Sequence, residues 1–147
     1  MKKLFYIFIF LFFKFNLANS LIEVDITRGN LDPLPIAISP LHVDIQSENY
    51  KDIKVKELGD LISSVIEKNF LSTGLFNPLD KNAFVQKPDI AHLKPRFEDW
   101  RLITAQALVT GKISIKDNKL KVEFRLWDLA ATQEMLALAF TTTPSNW

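Results

Sequence analysis

The stretch Ser-Thr-Gly-Leu-Phe-Asn-Pro-Leu-Asp at residues 72–80 places the end of a helix beside the start of a short strand. Gly74 can adopt the left-handed backbone conformation that closes a helix. Pro78 cannot lie inside a helix, but it is tolerated in an edge strand. The stretch therefore predicts a helix that stops at Gly74 and a short strand from Phe76 to Leu79.

An amphipathic pattern leads into this junction. Between Val55 and about Phe70, apolar residues recur at spacings of three and four, with charged and hydroxyl residues between them. This period predicts one helix with a single buried stripe. The stripe is predicted to consist of Val55, Leu58, Leu61, Ile62, Val65, Ile66 and Phe70.

Further elements are predicted on either side of this helix and strand. The mostly apolar run Pro35–Leu41 predicts a buried strand, followed by a polar loop over residues 44–52. Residues 81–94 are polar and contain proline, which predicts a loop. Residues 97–104 predict a second, shorter helix, because apolar residues recur at helical spacing and two acidic residues lie in its first turn.

The last third of the chain changes to the period of a strand. Residues 107–115 predict a strand, residues 116–119 a turn, and residues 120–126 alternate between apolar and charged side chains. A third run from Met135 to Thr142 completes a predicted antiparallel meander. The element order predicts an α/β two-layer sandwich, a mixed sheet of about five strands with two helices on one face.

The first twenty residues have the order of a secretory signal. A basic start at Met1–Lys3 precedes the apolar run Leu4–Phe13, and small residues follow at Ala18 and Ser20. Lys14 interrupts the apolar run after roughly ten residues, whereas a membrane-spanning helix needs about 20. This order predicts cleavage after Ser20, and an uncleaved N-terminal anchor is the alternative.

Length, charge and cysteine content limit the classes of function. Removing twenty residues from 147 would leave about 127, the size of one domain. Eighteen basic and seventeen acidic residues give a net charge of +1, which argues against a nucleic-acid-binding protein. The sequence contains no cysteine, so disulfides, thiolate zinc sites and cysteine nucleophiles are excluded.

Residues able to support cofactor chemistry are sparse. His42 and His92 are the two histidines, fifty positions apart, and both fall in predicted loops without the spacing of metal ligands. They are therefore interpreted as ordinary loop histidines. The four glycines are isolated, so no phosphate-binding or dinucleotide-binding turn is present. The sequence predicts neither a metal site nor a cofactor.

Two close pairs of carboxylates are the remaining catalytic candidates. Glu57 and Asp60 lie on the flank of the first predicted helix, and Glu98 and Asp99 lie at the start of the second. Acidic residues favour helix starts for electrostatic reasons, so both pairs are interpreted as structural. A small exported hydrolase that uses Glu57, Asp60 or Glu98 is the enzymatic alternative.

The predicted hairpin and the tryptophans also have structural interpretations. Trp100 and Trp127, with Phe97 and Phe124, fall on packing periods and are predicted core residues. The basic residues of the hairpin alternate with acidic ones, which predicts a solvated face, with contact to an anionic surface as the alternative. These basic residues are Lys112, Lys116, Lys119, Lys121 and Arg125.

Further landmarks of the sequence are the Ile/Val-rich start at Leu21, Gly29, Pro35-Ile36, Pro40, Gly74 to Asp80, Trp100, Val109, Gly111, Leu126 and Asp128. The order and spacing of these landmarks resemble those of the N-terminal domain of the TolB family, the periplasmic component of the Tol-Pal system. The resemblance implies an α/β fold and a periplasmic, non-enzymatic protein without catalytic residues, cofactor, metal, nucleic acid or small-molecule substrate.

The resemblance also implies how the chain divides. Residues 1–20 are the expected signal, residues 21–34 an arm with its linker, and residues 35–147 a domain lacking the final helix and the β-propeller of the family. The propeller carries the surface for the lipoprotein Pal, so Pal binding is not expected. The arm is the expected contact for the inner-membrane protein TolA, and it comprises Leu21, Ile22, Glu23, Val24, Asp25, Ile26, Thr27 and Arg28.

The residues of the arm are compatible with two roles. Its apolar side chains alternate with polar ones, and glycine and prolines tether it, so it can add as a strand to the sheet edge of a partner. The alternative is that it adds an edge strand to its own sheet. The expected function is an adaptor in outer-membrane invagination at cell division and in envelope integrity. A non-functional remnant with an incompletely covered sheet is the second hypothesis.

Overall fold

The computed structural model describes residues 32–45, 57–117 and 119–143. These residues form six strands, three helices and one 3₁₀ turn. The strands are β1 (Leu34–Ile38), β2 (His42–Ile45), β3 (Phe76–Pro78), β4 (Ala107–Lys116), β5 (Lys119–Asp128) and β6 (Gln133–Thr142). The helices are α1 (Leu58–Thr73), α2 (Pro88–Ala91) and α3 (Phe97–Leu102), and the 3₁₀ turn spans Lys81–Ala83.

The strands form one mixed sheet in the order β3-β1-β4-β5-β6, with β2 also paired to β4. β1 runs parallel to β3 and β4, whereas β4, β5 and β6 form the predicted antiparallel meander. The α/β class and the mixed sheet are confirmed, with six strands rather than about five. The additional strand is β2, whose residues 44 and 45 fall in the predicted loop over residues 44–52.

The helix-to-strand junction has the predicted form. Gly74 has φ 71°, and its N–H donates to the Leu71 carbonyl at 3.2 Å, which closes α1. β3 then runs beside β1, where the Leu34 N–H donates to the Leu75 carbonyl at 2.9 Å. At the other end of this pairing the Leu79 N–H donates to the Ile36 carbonyl. The junction therefore joins the helical layer to the sheet.

The buried side of α1 differs from the predicted stripe. Leu61 and Val65 are 49% and 57% exposed, whereas Gly59 and Ser63 are buried. A Cβ atom on Gly59 would lie 2.1 Å from the carbonyl oxygen of Leu41, so helix and sheet approach most closely at this glycine. This contact turns the small residues toward the sheet and leaves Leu61 and Val65 at the side. Val55 lies outside the described residues.

The helices lie on opposite faces of the sheet, whereas the prediction placed both on one face. Ile66 and Phe70 of α1 pack against a cluster that includes Ile36 and Val109. Trp100 of α3 packs in another cluster, with Ala37, Leu108 and Trp127. Neighbouring strand residues point to opposite faces, so these clusters lie on the two sides of the sheet. We call the two sides the α1 face and the α3 face.

The predicted tryptophan core is on the α3 face. Trp100 is buried, and its indole N–H donates to the Gln86 side-chain oxygen at 2.8 Å. Trp127 is also buried and donates to the Thr110 hydroxyl at 2.8 Å. Each indole thus has the hydrogen-bond partner that a buried polar group requires.

The segment predicted as a loop over residues 81–94 contains the 3₁₀ turn and α2. The Lys81 ammonium bonds the hydroxyls of Ser63 and Ser64 and pairs with Glu67 at 3.2 Å, which fastens the turn to α1. Pro88 occupies the first turn of α2. Both elements have four residues or fewer, too short to produce a helical period in the sequence.

Candidate functional site

The predicted partner-binding residues, Leu21 to Arg28, lie outside the described residues, but the point where their segment joins the domain is described. Asp32 and Pro33 are exposed, and Leu34 already belongs to β1, one residue before the predicted domain boundary. β1 is an interior strand between β3 and β4. The described chain therefore enters the sheet through an interior strand, and the Leu34 N–H at the start of that strand donates to the Leu75 carbonyl.

An apolar groove lies on the α1 face, where β6 extends beyond the part of the sheet that α1 covers. Leu136, Leu138 and Phe140 of β6 are 48%, 46% and 58% exposed. The groove has a volume of about 250 Å³, and its apolar lining consists of Ile66, Phe70, Val109, Phe124, Leu126, Leu136 and Leu138. Such a surface can bury an apolar segment. The sequence hypothesis of an incompletely covered sheet anticipated an exposed apolar surface, but it did not place that surface on β6.

Three of the five basic side chains of the hairpin pair with acidic residues. The Lys112 ammonium lies 2.6 Å from the Asp44 carboxylate, and Lys121 lies 2.9 Å from Glu123. Arg125 pairs with Glu134 at 3.3 Å. This mixed charge agrees with the predicted solvated face. The structure provides no concentrated positive surface at these pairs for an anionic partner.

The two histidines do not both lie in loops, as the sequence predicted. His42 is in β2, His92 follows α2, and their rings stack with centroids 4.3 Å apart and planes within 6°. The His92 Nδ1–H donates to the Pro88 carbonyl at 3.0 Å. Burial, and then the neighbouring His92, lowers the pKa of His42, while the hydrogen bond from Lys112 lowers the pKa of the Asp44 carboxyl.

Sequence analysis missed the histidine contact because it depends on β2. The parallel pairing of this strand places His42 opposite Lys112 of β4. The chain between residues 42 and 112 gives no sign of that pairing, and a four-residue strand with two polar residues has no distinct period. The available signal was weak: the apolar Val43 and Ile45 alternate with His42 and Asp44.

The carboxylates named as enzymatic candidates occupy exposed or paired positions. Glu57 and Asp60 are exposed at the start of α1. Glu98 and Asp99 each pair with an arginine three positions away. Within residues 32–45, 57–117 and 119–143, no three histidine or acidic side chains converge to hold a metal ion. This arrangement offers no positioned acid–base pair among those candidates.

Other features of the described chain have structural roles. Asp128 is buried at the end of β5, and its Oδ1 accepts from the N–H groups of Ala130 and Ala131, both at 2.8 Å. It therefore shapes the turn into β6.

Among the helices in the described ranges, none is long and apolar enough to cross a membrane.

Comparison with known proteins identifies the family. The profile of the TolB amino-terminal domain matches residues 22–135. The chain is 63% identical over 149 residues to the Tol-Pal system protein TolB of Pelagibacter ubique (strain HTCC1062). This match covers 100% of the chain and 33% of that protein, so the chain spans about a third of the length of this curated relative.

Solved structures share the fold at low sequence identity. TolB from Acinetobacter baumannii superposes with a TM-score of 0.55 at 19% identity, over 78% of this chain and 24% of that chain. The C-terminal domain of LpoB from Salmonella enterica gives 0.54 at 8% identity, over 78% and 86%. These two structures support the fold alone. The family profile and the identity with the Pelagibacter protein show that this chain belongs to the TolB amino-terminal domain family.

Proposed function

We propose that the chain is a non-enzymatic periplasmic adaptor of the Tol-Pal system, which contacts a TolA-like inner-membrane protein through residues 21–28. The observation that carries this proposal is the start of the family match at residue 22, because the match includes almost the whole arm. The role would lie in outer-membrane invagination at cell division and in envelope integrity. Pal binding is not included, because the resemblance assigns it to the propeller.

The proposal includes export and processing. Residues 1–20 act as a leader that is removed after Ser20, which makes Leu21 the first residue of the arm. The basic start, the apolar run and the small residues before this position support the assignment. The arm and linker then lead into the domain at Leu34.

The arm binds its partner by strand addition. In an extended strand, Ile22, Val24 and Ile26 point to one side, and their backbone N–H and C=O groups pair with the edge of a partner sheet. The entry of the chain into β1 supports this arrangement. β3 and β4 occupy both sides of β1, so β1 itself offers no free edge with which the arm could pair.

Replacing the apolar side chains of the arm is expected to abolish partner binding. The triple change Ile22→Asp, Val24→Asp and Ile26→Asp removes the apolar contacts that set the register. It should weaken binding to the periplasmic part of TolA by about 100-fold or more. Calorimetric titration of the exported protein measures this, after mass spectrometry establishes its first residue, expected to be Leu21.

The matched control changes the other side of the same strand. Glu23→Ser, Asp25→Ser and Thr27→Ser should leave the dissociation constant within about threefold of wild type, because these side chains point away from the apolar contact. Equal affinity of wild type and a variant lacking residues 21–28 would rule out the arm as the contact. Absence of binding by wild type would rule out the adaptor role itself.

A second candidate function follows from the apolar groove on the α1 face. The exposed apolar side chains of β6 indicate that another segment or protein is needed to cover the sheet. Under this candidate the domain has no function alone. This candidate corresponds to the remnant hypothesis from the sequence. It differs from the adaptor in predicting self-association of the isolated chain.

Under this second candidate, Leu138→Lys is expected to raise the protein concentration at which the chain aggregates by about fivefold. Leu138 is exposed in the groove, so the added charge opposes apolar association at little cost in folding stability. Light scattering against concentration measures the effect. Thr141→Lys, on the other side of β6, is the control and should have a smaller effect. A wild-type chain that stays monomeric and unfolds cooperatively contradicts this candidate.

A further inference from the structure

The stacked rings of His42 and His92 connect two elements that are distant in the sequence. His42 belongs to β2, and His92 is the residue that ends α2. The rings lie nearly parallel, with centroids 4.3 Å apart. The stack therefore contributes a direct contact between the sheet and the short helix on its α3 face.

The position of α2 depends on a small number of interactions. The helix has four residues, and a helix of this length is not stable without tertiary contacts. Ala91 is buried in the tryptophan cluster, and the Arg125 guanidinium donates to the His92 carbonyl at 3.0 Å. With the histidine stack, these contacts hold α2 beside β2 and β4. Loss of the stack would remove one of them.

The surroundings of the stack disfavour two charged imidazoles. Two positive rings at this separation repel each other, and partial burial weakens solvation of the charge. The Asp44 carboxylate, the acidic group on the same strand as His42, already pairs with Lys112. The charged residues that surround the stack on β2, α1, α2 and its flank, β4 and β5 are Asp44, Asp60, Lys87, Asp89, Lys112, Glu123 and Arg125.

We propose that the His42–His92 stack is a pH-dependent latch, which holds α2 against the sheet at neutral pH and releases it on acidification. A cleft lies beside this contact, between β2, the start of α1 and α2. Its wall includes His42, Gly59, Asp60 and Pro88. Release of α2 widens this cleft without unfolding the meander. The latch is independent of the proposed partner contact through the arm.

The direction of the pH effect follows from the altered proton affinity of His42. Its pKa in the folded chain is lowered, whereas an unfolded histidine titrates near its ordinary value of about 6.5. The released or unfolded form therefore binds more protons as the pH falls below about 6.5. The latched form is fully favoured above that pH, and its advantage decreases as the pH falls toward the folded-state pKa.

Hydrogen exchange of α2 tests the latch in the full chain. Amide protection of Ala91 and His92, corrected for intrinsic exchange, is expected to fall by about tenfold between pH 7.5 and 5.0 in wild type. Protection in β4 and β5 should change by less than about twofold. His42→Phe keeps an aromatic ring at the stack but cannot be protonated, so α2 protection should become nearly independent of pH.

A variant of the second ring and the pH dependence of the wild-type protein provide two further checks on the latch. His92→Phe should likewise reduce the pH dependence, although it loses the hydrogen bond to the Pro88 carbonyl and lowers protection at every pH. Circular dichroism at pH 7.5 establishes that both variants fold. Constant α2 protection in wild type over this pH range would overturn the latch. A pH dependence as large in both folded variants as in wild type would do the same.

Discussion

Replacing Trp100 with alanine is expected to lower the free energy of unfolding by about 3–5 kcal/mol. The side chain is 1% exposed and meets the Phe84 ring edge-on at a centroid distance of 5.0 Å. Removing the indole leaves a large cavity on the α3 face. It also takes away the donor to the Gln86 side-chain oxygen, a buried amide whose nitrogen has no hydrogen-bond partner in the described chain.

Chemical denaturation followed by circular dichroism measures the loss. Trp100→Phe retains most of the ring but not the hydrogen bond, so it should cost about 1–3 kcal/mol. Leu102→Ala is a matched control on the same helix, because Leu102 is 82% exposed and its truncation should change stability by less than about 0.5 kcal/mol. A loss below about 1 kcal/mol for Trp100→Ala would contradict the central role of this side chain.

The second large effect is expected at Gly59. Helix propensity predicts that alanine at this position stabilises the protein, whereas the tertiary structure predicts that it destabilises the protein. Alanine is favoured over glycine inside a helix by about 1 kcal/mol, so propensity alone predicts that Gly59→Ala stabilises α1. The added Cβ would lie 2.1 Å from the Leu41 carbonyl oxygen, a backbone atom that cannot move without shifting the connection between β1 and β2. We therefore expect a net destabilisation of about 2–3 kcal/mol.

Gly74 is the matched control for this substitution. It has open space around its Cβ position, but its φ of 71° lies in the left-handed region. Gly74→Ala should cost about 1 kcal/mol, from backbone strain alone. Denaturation curves for the two variants compare the loss of stability from a steric clash at Gly59 with the loss from backbone strain at Gly74. A stabilised Gly59→Ala protein would show that α1 does not approach Leu41 as described.

Local signals in the sequence were sufficient for the main helix, the strand after it and the hairpin, but not for β2, α2 or the 3₁₀ turn. The glycine at position 74, the helical spacing before it and the alternation along β5 arise from interactions between near neighbours. They therefore predicted α1, β3 and the antiparallel hairpin. The TolB resemblance was likewise carried by short landmarks in order, and the profile match over residues 22–135 confirmed it.

The candidate surfaces were less predictable, because they depend on which elements meet. The predicted stripe of α1 included Leu61 and Val65, but the close approach of Gly59 to Leu41 turned both toward the exposed side. The groove on β6 is likewise set by the width of sheet that α1 covers. The arm at residues 21–28 remains a prediction from the sequence and its resemblance.

By itself, the sequence determined the family, the α/β class, the main helix with its stop at Gly74, and the three-stranded meander, because each depends on local periodicity or on landmarks in order. The tertiary structure alone decided that α1 and α3 occupy opposite faces, that β6 is left uncovered, and that His42 and His92 stack. These features arise from parallel pairing and packing between distant segments. Such contacts depend on three-dimensional distance and leave no period in the chain.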